Sequence, residues 1–323
     1  MIASKIDTLQ QSGVVQPYGV YRDRIEQPST RLWDGKSGLF SIRRSARKAW
    51  IFLGAYSAEY CVGFAIVDAG WVSKAFAYIY NLKTGVLLED GITVPMGFGA
   101  DFDPNLNSDW ILKNYSIKSD EQKMRASYQG KKFSLEMEVD MNANGLSFIC
   151  PSKGKRPFHH TYKNLLLPTT IRFSKAGKTE TLHGMQSGID FSKGYPPRHT
   201  FWNWTSFMGQ TEDGLPVGIN LVDGFNENME NAMWIGDDQV LLGKMLYDYQ
   251  PPIEKSKWEV NAVDAKLQLS MLPQGLRKEN INVGLLKSKF LQVYGPIAGK
   301  VMHQGQWKQL SGHGVMEEHE ALW

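Results

Sequence analysis

Cysteine is scarce in this chain: Cys61 and Cys150 are the only two in 323 residues. Two thiols cannot staple a chain of that length, and no paired-cysteine zinc spacing is present, so a disulfide scaffold and a zinc ribbon are both excluded. Each lies in a strand-like apolar context, EYCVGFAIV and LSFIC, which predicts buried free thiols in a reducing compartment. Long hydrophobic runs are missing as well; none approaches the ~18 residues of a membrane span. The opening MIASKIDTLQQSG has no basic end followed by an apolar stretch, so no secretory signal is read there. A soluble cytoplasmic protein without stable membrane insertion is expected. Charge of one sign is also lacking. Lys and Arg number 36 against 33 Asp and Glu, a net charge of +3, too mild for a nucleic-acid partner. The densest basic run, Arg43, Arg44, Arg47 and Lys48, reads as a solvated face, with anionic lipid or substrate contact as the alternative. The seven histidines are scattered without a His-Glu-x-x-His helix, so no metal and no cofactor are expected.

What the chain does have is two-residue periodicity. Phe133, Leu135, Met137, Val139 and Met141 alternate with Ser134, Glu136, Glu138 and Asp140. The same pattern recurs at Met124–Tyr128, at Leu215–Val222 and at Leu267–Met271. Such alternation marks antiparallel strands with one face toward a core. Turn pairs fall between the strands: Asn144-Gly145, Ala176-Gly177, Asp213-Gly214, Gly236-Asp237 and Gln304-Gly305. Helical periodicity is confined to short candidates near Ser4–Gln11, Ser41–Lys48 and Val315–Leu322. The expectation is an all-β protein of two antiparallel barrel domains with a few short helices. The polar segment PSKGKRPFHH breaks the alternation, and the boundary is placed near residue 180, within about ten residues. That gives domains of 1–180 and 181–323.

Three familiar motifs fail on inspection. Gly35-Lys36-Ser37 resembles the end of a phosphate loop, but Thr30 stands where the first glycine is needed. Gly97 and Gly99 start a dinucleotide pattern that Phe102 breaks. Ser187, between Gly184 and Gly188, is one place off a nucleophile elbow.

The chemistry-bearing residues concentrate between Asp190 and Asn231. A Gly/Pro loop with Asp190, Lys193, Arg198 and His199 leads into a strand carrying Trp202 and Trp204; a turn and a second strand follow. A loop with Asp223, Glu227, Asn228, Glu230 and Asn231 closes the stretch. Two tryptophans two residues apart share a strand face, as paired core rings or as the flat wall of a ligand site. Asp190 and Arg198 either pin the loop as an ion pair or act separately. The acid would then protonate a double bond, and the guanidinium would hold a ligand carboxylate. His183 is a general base or a satisfied core histidine, and Glu227 a second candidate acid or a solvated side chain. Asn220 faces water or a neighbouring domain and, with Asn231, is a candidate ligand contact. Glu317, Glu318, His319 and Glu320 form an amphipathic closing segment, or send one carboxylate into a barrel mouth.

The run GYPPRHTFWNWTSFMGQTEDGLPVGINLVDGFNENMENAMW resembles the core signature of the domain of unknown function 2804 family. VYGPIAGKV and GHGVMEEHEALW resemble that family's ending; GVVQPYGVYRDR and the stretch from Arg47 to Tyr80 resemble its opening. Asn203 departs from it, standing where the family commonly has a basic residue. The family is distantly similar to lipocalin-like two-barrel proteins, including carotenoid hydratases and tocopherol cyclases. The resemblance therefore implies an apolar or amphipathic ligand, lipid or isoprenoid-like, with acid–base hydration, cyclisation or isomerisation as the candidate chemistry. A non-enzymatic carrier or a structural module is the alternative.

Overall fold

The computed structural model describes residues 1–11, 14–30, 46–95, 105–152, 158–283 and 286–323. Among them, the named elements are strands apart from one 3₁₀ turn at Asn226–Asn228. The protein is all-β: two curled antiparallel half-barrel sheets, consistent with two lipocalin-like domains.

The first sheet runs in the order Val86–Pro95, Val72–Asn81, Tyr60–Asp68, Lys48–Tyr56, Lys178–Gly194, His159–Lys175, Ser134–Asp140, Lys123–Gln129, Tyr115–Ser119 and Trp110–Leu112. Leu146–Cys150 pairs with the first part of His159–Lys175 and also with Gly19–Arg22. The alternating residues pack as expected. Met124, Ala126 and Tyr128 lie opposite Val139, Met137 and Leu135, and all six are buried. Curling brings strands that are remote in the sheet face to face: Phe64 meets Tyr115 at 5.9 Å, and Trp110 meets Phe191 at 6.3 Å.

The second sheet runs Asp238–Leu241, Ala232–Ile235, Pro216–Asp223, His199–Thr211, Gln306–Leu322, Leu286–His303, Leu267–Met271, Trp258–Ala262 and Met245–Asp248. Gly275–Val283 pairs with the first half of Leu286–His303. One face carries a single apolar cluster that includes Phe207, Ile219, Met233, Trp258, Val293 and Met316. Here too the sheet curls. Tyr247, on the last strand, bonds Thr205 Oγ1 at 2.8 Å and donates to the Leu221 carbonyl at 3.4 Å.

The chain divides into two compact units. The first is Met1–Ala55, Val62–Ile79 and Leu87–Pro197; the second is Tyr56–Cys61, Tyr80–Val86 and Arg198–Trp323. The main division therefore falls at Pro197–Arg198 rather than near residue 180. The reason is the long hairpin His159–Lys175 and Lys178–Gly194, whose register continues to the pair His159–Gly194. Its Ala176-Gly177 turn, which the boundary estimate nearly bisects, is the tip of one element.

Of the three short helix candidates, Ser4–Gln11 and Val315–Leu322 do not form; of Ser41–Lys48 only the last three residues are described, and the first of these, Ala46, is helical. Gln10–Gln11 pairs with Val14–Val15 as a small hairpin, and Lys48 opens a nine-residue strand. Residues 41–45 lie outside the described residues. Val315–Leu322 is the end of the strand Gln306–Leu322, flanked by ladders to His199–Thr211 and Leu286–His303. Two full ladders outweigh the local helix preference of Met-Glu-Glu-His-Glu-Ala-Leu.

The basic run is not a solvated face in its described part. Arg47 and Lys48 are buried. Arg47 lies 3.4 Å from Asp68 and bonds Thr30 Oγ1, and Lys48 donates to the Ala69 carbonyl at 2.7 Å. Arg43 and Arg44 lie outside the described residues. Cys61 and Cys150 are buried and in no disulfide, as their sequence contexts suggest.

Candidate functional site

Side chains alternate across a strand, so the tryptophans of His199–Thr211 point away from the apolar cluster that holds Phe207. Antiparallel register then sets their neighbours. Trp204 lies opposite Glu317, Glu317 opposite Gln292, and Gln292 opposite Arg277. One row along, Trp202 lies opposite His319, His319 opposite Phe290, and Phe290 opposite Glu279. Directly opposed residues touch. Four strands thus assemble a carboxylate, an imidazole and a row of aromatics on one surface.

Glu317 is the centre of that surface. It is 6% exposed. Trp202 Nε1 donates to its Oε1 at 3.0 Å and Gln292 Nε2 to its Oε2 at 2.9 Å. A buried carboxylate needs such donors, because leaving it without them would cost several kcal/mol, of order 3–5. His319 Nδ1 stands 3.8 Å from the same Oε1, and His319 Nε2 is 2.8 Å from Ser288 Oγ. Its ring packs edgewise between Trp202 at 4.2 Å and Phe290 at 5.3 Å. Phe225 adds a further ring 5.5 Å from Trp202. Arg277 stacks its guanidinium 5.1 Å from the Phe290 centroid and is paired with Glu279 at 3.1 Å. Trp202, Ser288, Phe290 and His319 are all half-buried.

The second tryptophan has a different task. Trp204 is buried, and its Nε1 donates to Asn220 Oδ1 at 2.9 Å. Asn220 in turn donates to the Glu230 carbonyl at 3.0 Å. Asn220 is 1% exposed, so it does not face water. Asn231 is a backbone strut: its Oδ1 accepts from Val222 N at 2.6 Å and its Nδ2 donates to the Gly243 carbonyl at 2.8 Å. These bonds explain both asparagines as ties between strand and loop.

The proposed acids and bases fare variously. Asp190 and His183 belong to the first unit, the tryptophans to the second. Asp190 pairs with Lys163 Nζ at 2.5 Å, its register partner across the long hairpin. His183 is exposed, next to Gly184 at an irregularity of that hairpin, so it is not a core histidine. Glu227 is exposed at the tip of the 3₁₀ turn with a φ of 52°. The buried carboxylate of that loop is Glu230, bonded by Asn226 Nδ2. Arg198 is exposed at the start of the signature strand, where its carbonyl accepts from Trp323 N.

The C-terminal acidic cluster separates into three environments. Glu317 faces the tryptophans. Glu318, on the opposite face, accepts from Tyr249 Oη at 2.6 Å, and Tyr249 Oη also receives Asn203 Nδ2 at 2.8 Å. Burial pushes the Tyr249 phenol well above its ordinary range, and its bond to Glu318 adds to the shift. Asn203 is thus a neutral donor to a phenol. Glu320 is exposed and pairs with His199 at 2.8 Å. Sequence reasoning reached Glu317 only as one member of the cluster and gave His319 no role of its own. Its usable signal was the spacing Glu317-x-His319, which places both on one strand face.

By sequence, no curated protein matches the chain. Among solved structures, it is similar to kievitone hydratase from Nectria haematococca: 14% identity, 94% of this chain and 97% of that one, TM-score 0.57. It is also similar to a protein of Nitrosomonas europaea assigned as an AttH: 12% identity, 84% and 92% coverage, TM-score 0.56. At these identities the likeness is one of fold. The family model for the domain of unknown function DUF2804 matches residues 1–323.

Proposed function

The chain belongs to the DUF2804 family, whose description assigns no activity, and from that premise we propose a function for the surface around Trp202. It binds an apolar or amphipathic small molecule there and moves a proton on it with His319 and Glu317. The observation that carries this reading is the buried Glu317 carboxylate, held by two N–H donors 3.0 and 2.9 Å away and 3.8 Å from a half-buried imidazole. A fixed carboxylate orients the imidazole, and an oriented imidazole is the commonest protein group for giving or taking a proton near neutral pH. Trp202, Phe225 and Phe290 supply the apolar side of the site. Ring faces also stabilise positive charge developing on an alkene or carbinol carbon, by about 0.5–2 kcal/mol each. The fold shared with a hydratase supports the same class of chemistry by analogy.

The test begins with native mass spectrometry and lipid extraction of the purified protein, to identify a co-purified apolar molecule. Replacing Trp202 with Ala should then weaken its binding at least about tenfold, the loss of one aromatic anchor. Folding should suffer less. A variant that loses stability and keeps its affinity would make Trp202 a core residue. His319→Gln should keep binding and lose turnover if the protein is an enzyme. Binding with no turnover in the unaltered protein would make it a carrier.

A further inference from the structure

The same surface holds a third polar group that proton transfer alone does not use. We infer that Ser288, His319 and Glu317 form a nucleophilic triad able to cleave esters of apolar acids. This rests on the His319–Glu317 pair proposed above and adds Ser288 as the atom that attacks. Ser288 Oγ lies 2.8 Å from His319 Nε2, and Glu317 Oε1 lies 3.8 Å from Nδ1 on the other side of the ring. In the tautomer that carries its proton on Nδ1, the side facing the carboxylate, Nε2 accepts from the serine hydroxyl. Nucleophile, base and orienting acid are recognised by these roles, not by their order along a chain.

The neighbours fit the assignment. Trp202 Nε1 and Gln292 Nε2 hold Glu317 at its two oxygens, so the acid is fixed in place. Ser288 lies opposite Ala321, which has no bulk to crowd the hydroxyl. Phe290 and Trp202, either side of His319, give an acyl chain an apolar seat. Arg277, stacked on Phe290, is itself neutralised by Glu279 and backs the aromatic seat.

In the first step Ser288 Oγ bonds to the ester carbonyl carbon and its proton passes to His319 Nε2. The carbon–alkoxy bond then breaks, and the leaving alcohol takes that proton. A water next gives a proton to Nε2 while its oxygen bonds to the acyl carbon. The carbon–Oγ bond breaks, Oγ recovers the proton, and the carboxylic acid departs. Water is the only co-reactant, and nothing is oxidised or reduced.

The experiment treats the full chain with a fluorophosphonate probe, maps the modified peptide by mass spectrometry, and follows p-nitrophenyl octanoate hydrolysis. Ser288 should carry the label, and Ser288→Ala should abolish both label and turnover. His319→Gln should slow labelling about 100-fold, the low end of what a positioned general base supplies. Glu317→Gln should slow it less, with circular dichroism showing each variant folded. An unlabelled wild-type protein, a label mapped elsewhere, or equal labelling of wild type and His319→Gln overturns the triad. Wild-type mapping needs no variant, so the inference is exposed even if substitutions unfold the chain. Quenching of tryptophan fluorescence by the co-purified molecule, measured alongside, separates the two readings. Quenching without a label defeats the triad alone; neither signal defeats both.

Discussion

His160 is the clearest case of a side chain held against its preference. It is 1% exposed, and neither ring nitrogen has a hydrogen-bond partner. Phe191 stands at 5.7 Å, and Lys193 is its partner across the strand pair. Burial first, then the electrostatic effect of His159, Lys193 and Lys163, pushes its pKa from 6.5 down to about 3. The unfolded chain therefore protonates His160 as pH falls through 6.5, while the folded chain stays neutral until about 3. Between those values the unfolded state binds more protons. The stabilisation is complete above 6.5 and is lost as pH falls through the window, by up to about 1.4 kcal/mol per pH unit. Replacing His160 with Phe should flatten that dependence, as urea midpoints at pH 7, 5 and 4 would show. An unchanged slope would place the acid sensitivity elsewhere.

At the scale of elements, the contact between His199–Thr211 and Gln306–Leu322 depends on glycine. Gly209 and Gly312 are register partners. A Cβ on Gly312 would run into the Met208 carbonyl and Gly209 Cα; one on Gly314 would run into the Ser206 carbonyl. Backbone cannot rotate away as a side chain can. Gly312→Ala should therefore cost about 1–3 kcal/mol, read as a lower thermal midpoint. It should also disturb the spacing of Trp202 from His319, since Gly312 shares a strand with His319 and pairs with the strand that carries Trp202.

That ladder shows what the sequence made legible. Local signals were enough for the turns: Ala176-Gly177, Asp213-Gly214, Gly236-Asp237 and Gln304-Gly305 all close hairpins, each with a glycine at positive φ. They were enough for half-buried strands such as Ser134–Asp140. They misled at Val315–Leu322, because a strand paired on both sides need not show strand propensity. They misled at Arg47 too, because a buried charge is revealed by a distant partner, Asp68. The tryptophan spacing pointed to the strand on which the proposed site is built. The groups that complete the site did not stand out, because Glu317 lies 115 positions beyond Trp202 and only register joins them.

The molecule as a whole is two units but not two consecutive segments. The tips Tyr56–Cys61 and Tyr80–Val86 count with the second unit, although the strands that lead to them count with the first. Tyr80 is well seated there. It is buried, its hydroxyl donates to the Gln274 carbonyl at 2.8 Å, and its ring lies 5.2 Å from Tyr294. Gly275 leaves room for it, since a Cβ at that position would strike the phenol ring. Tyr80→Ala should cost about 3 kcal/mol or more, the range for truncating a buried aromatic. A fragment of residues 198–323 should melt well below the full chain in urea. Equal midpoints would mean the two tips contribute nothing.

The polypeptide passes from one unit to the other at Ala55, Cys61, Ile79, Val86 and Pro197. No single scission can release either half intact. A gene fragment for the tryptophan-bearing half would lack two short loops written far upstream. Separate expression of the halves would therefore part each from pieces of itself unless those loops were grafted back.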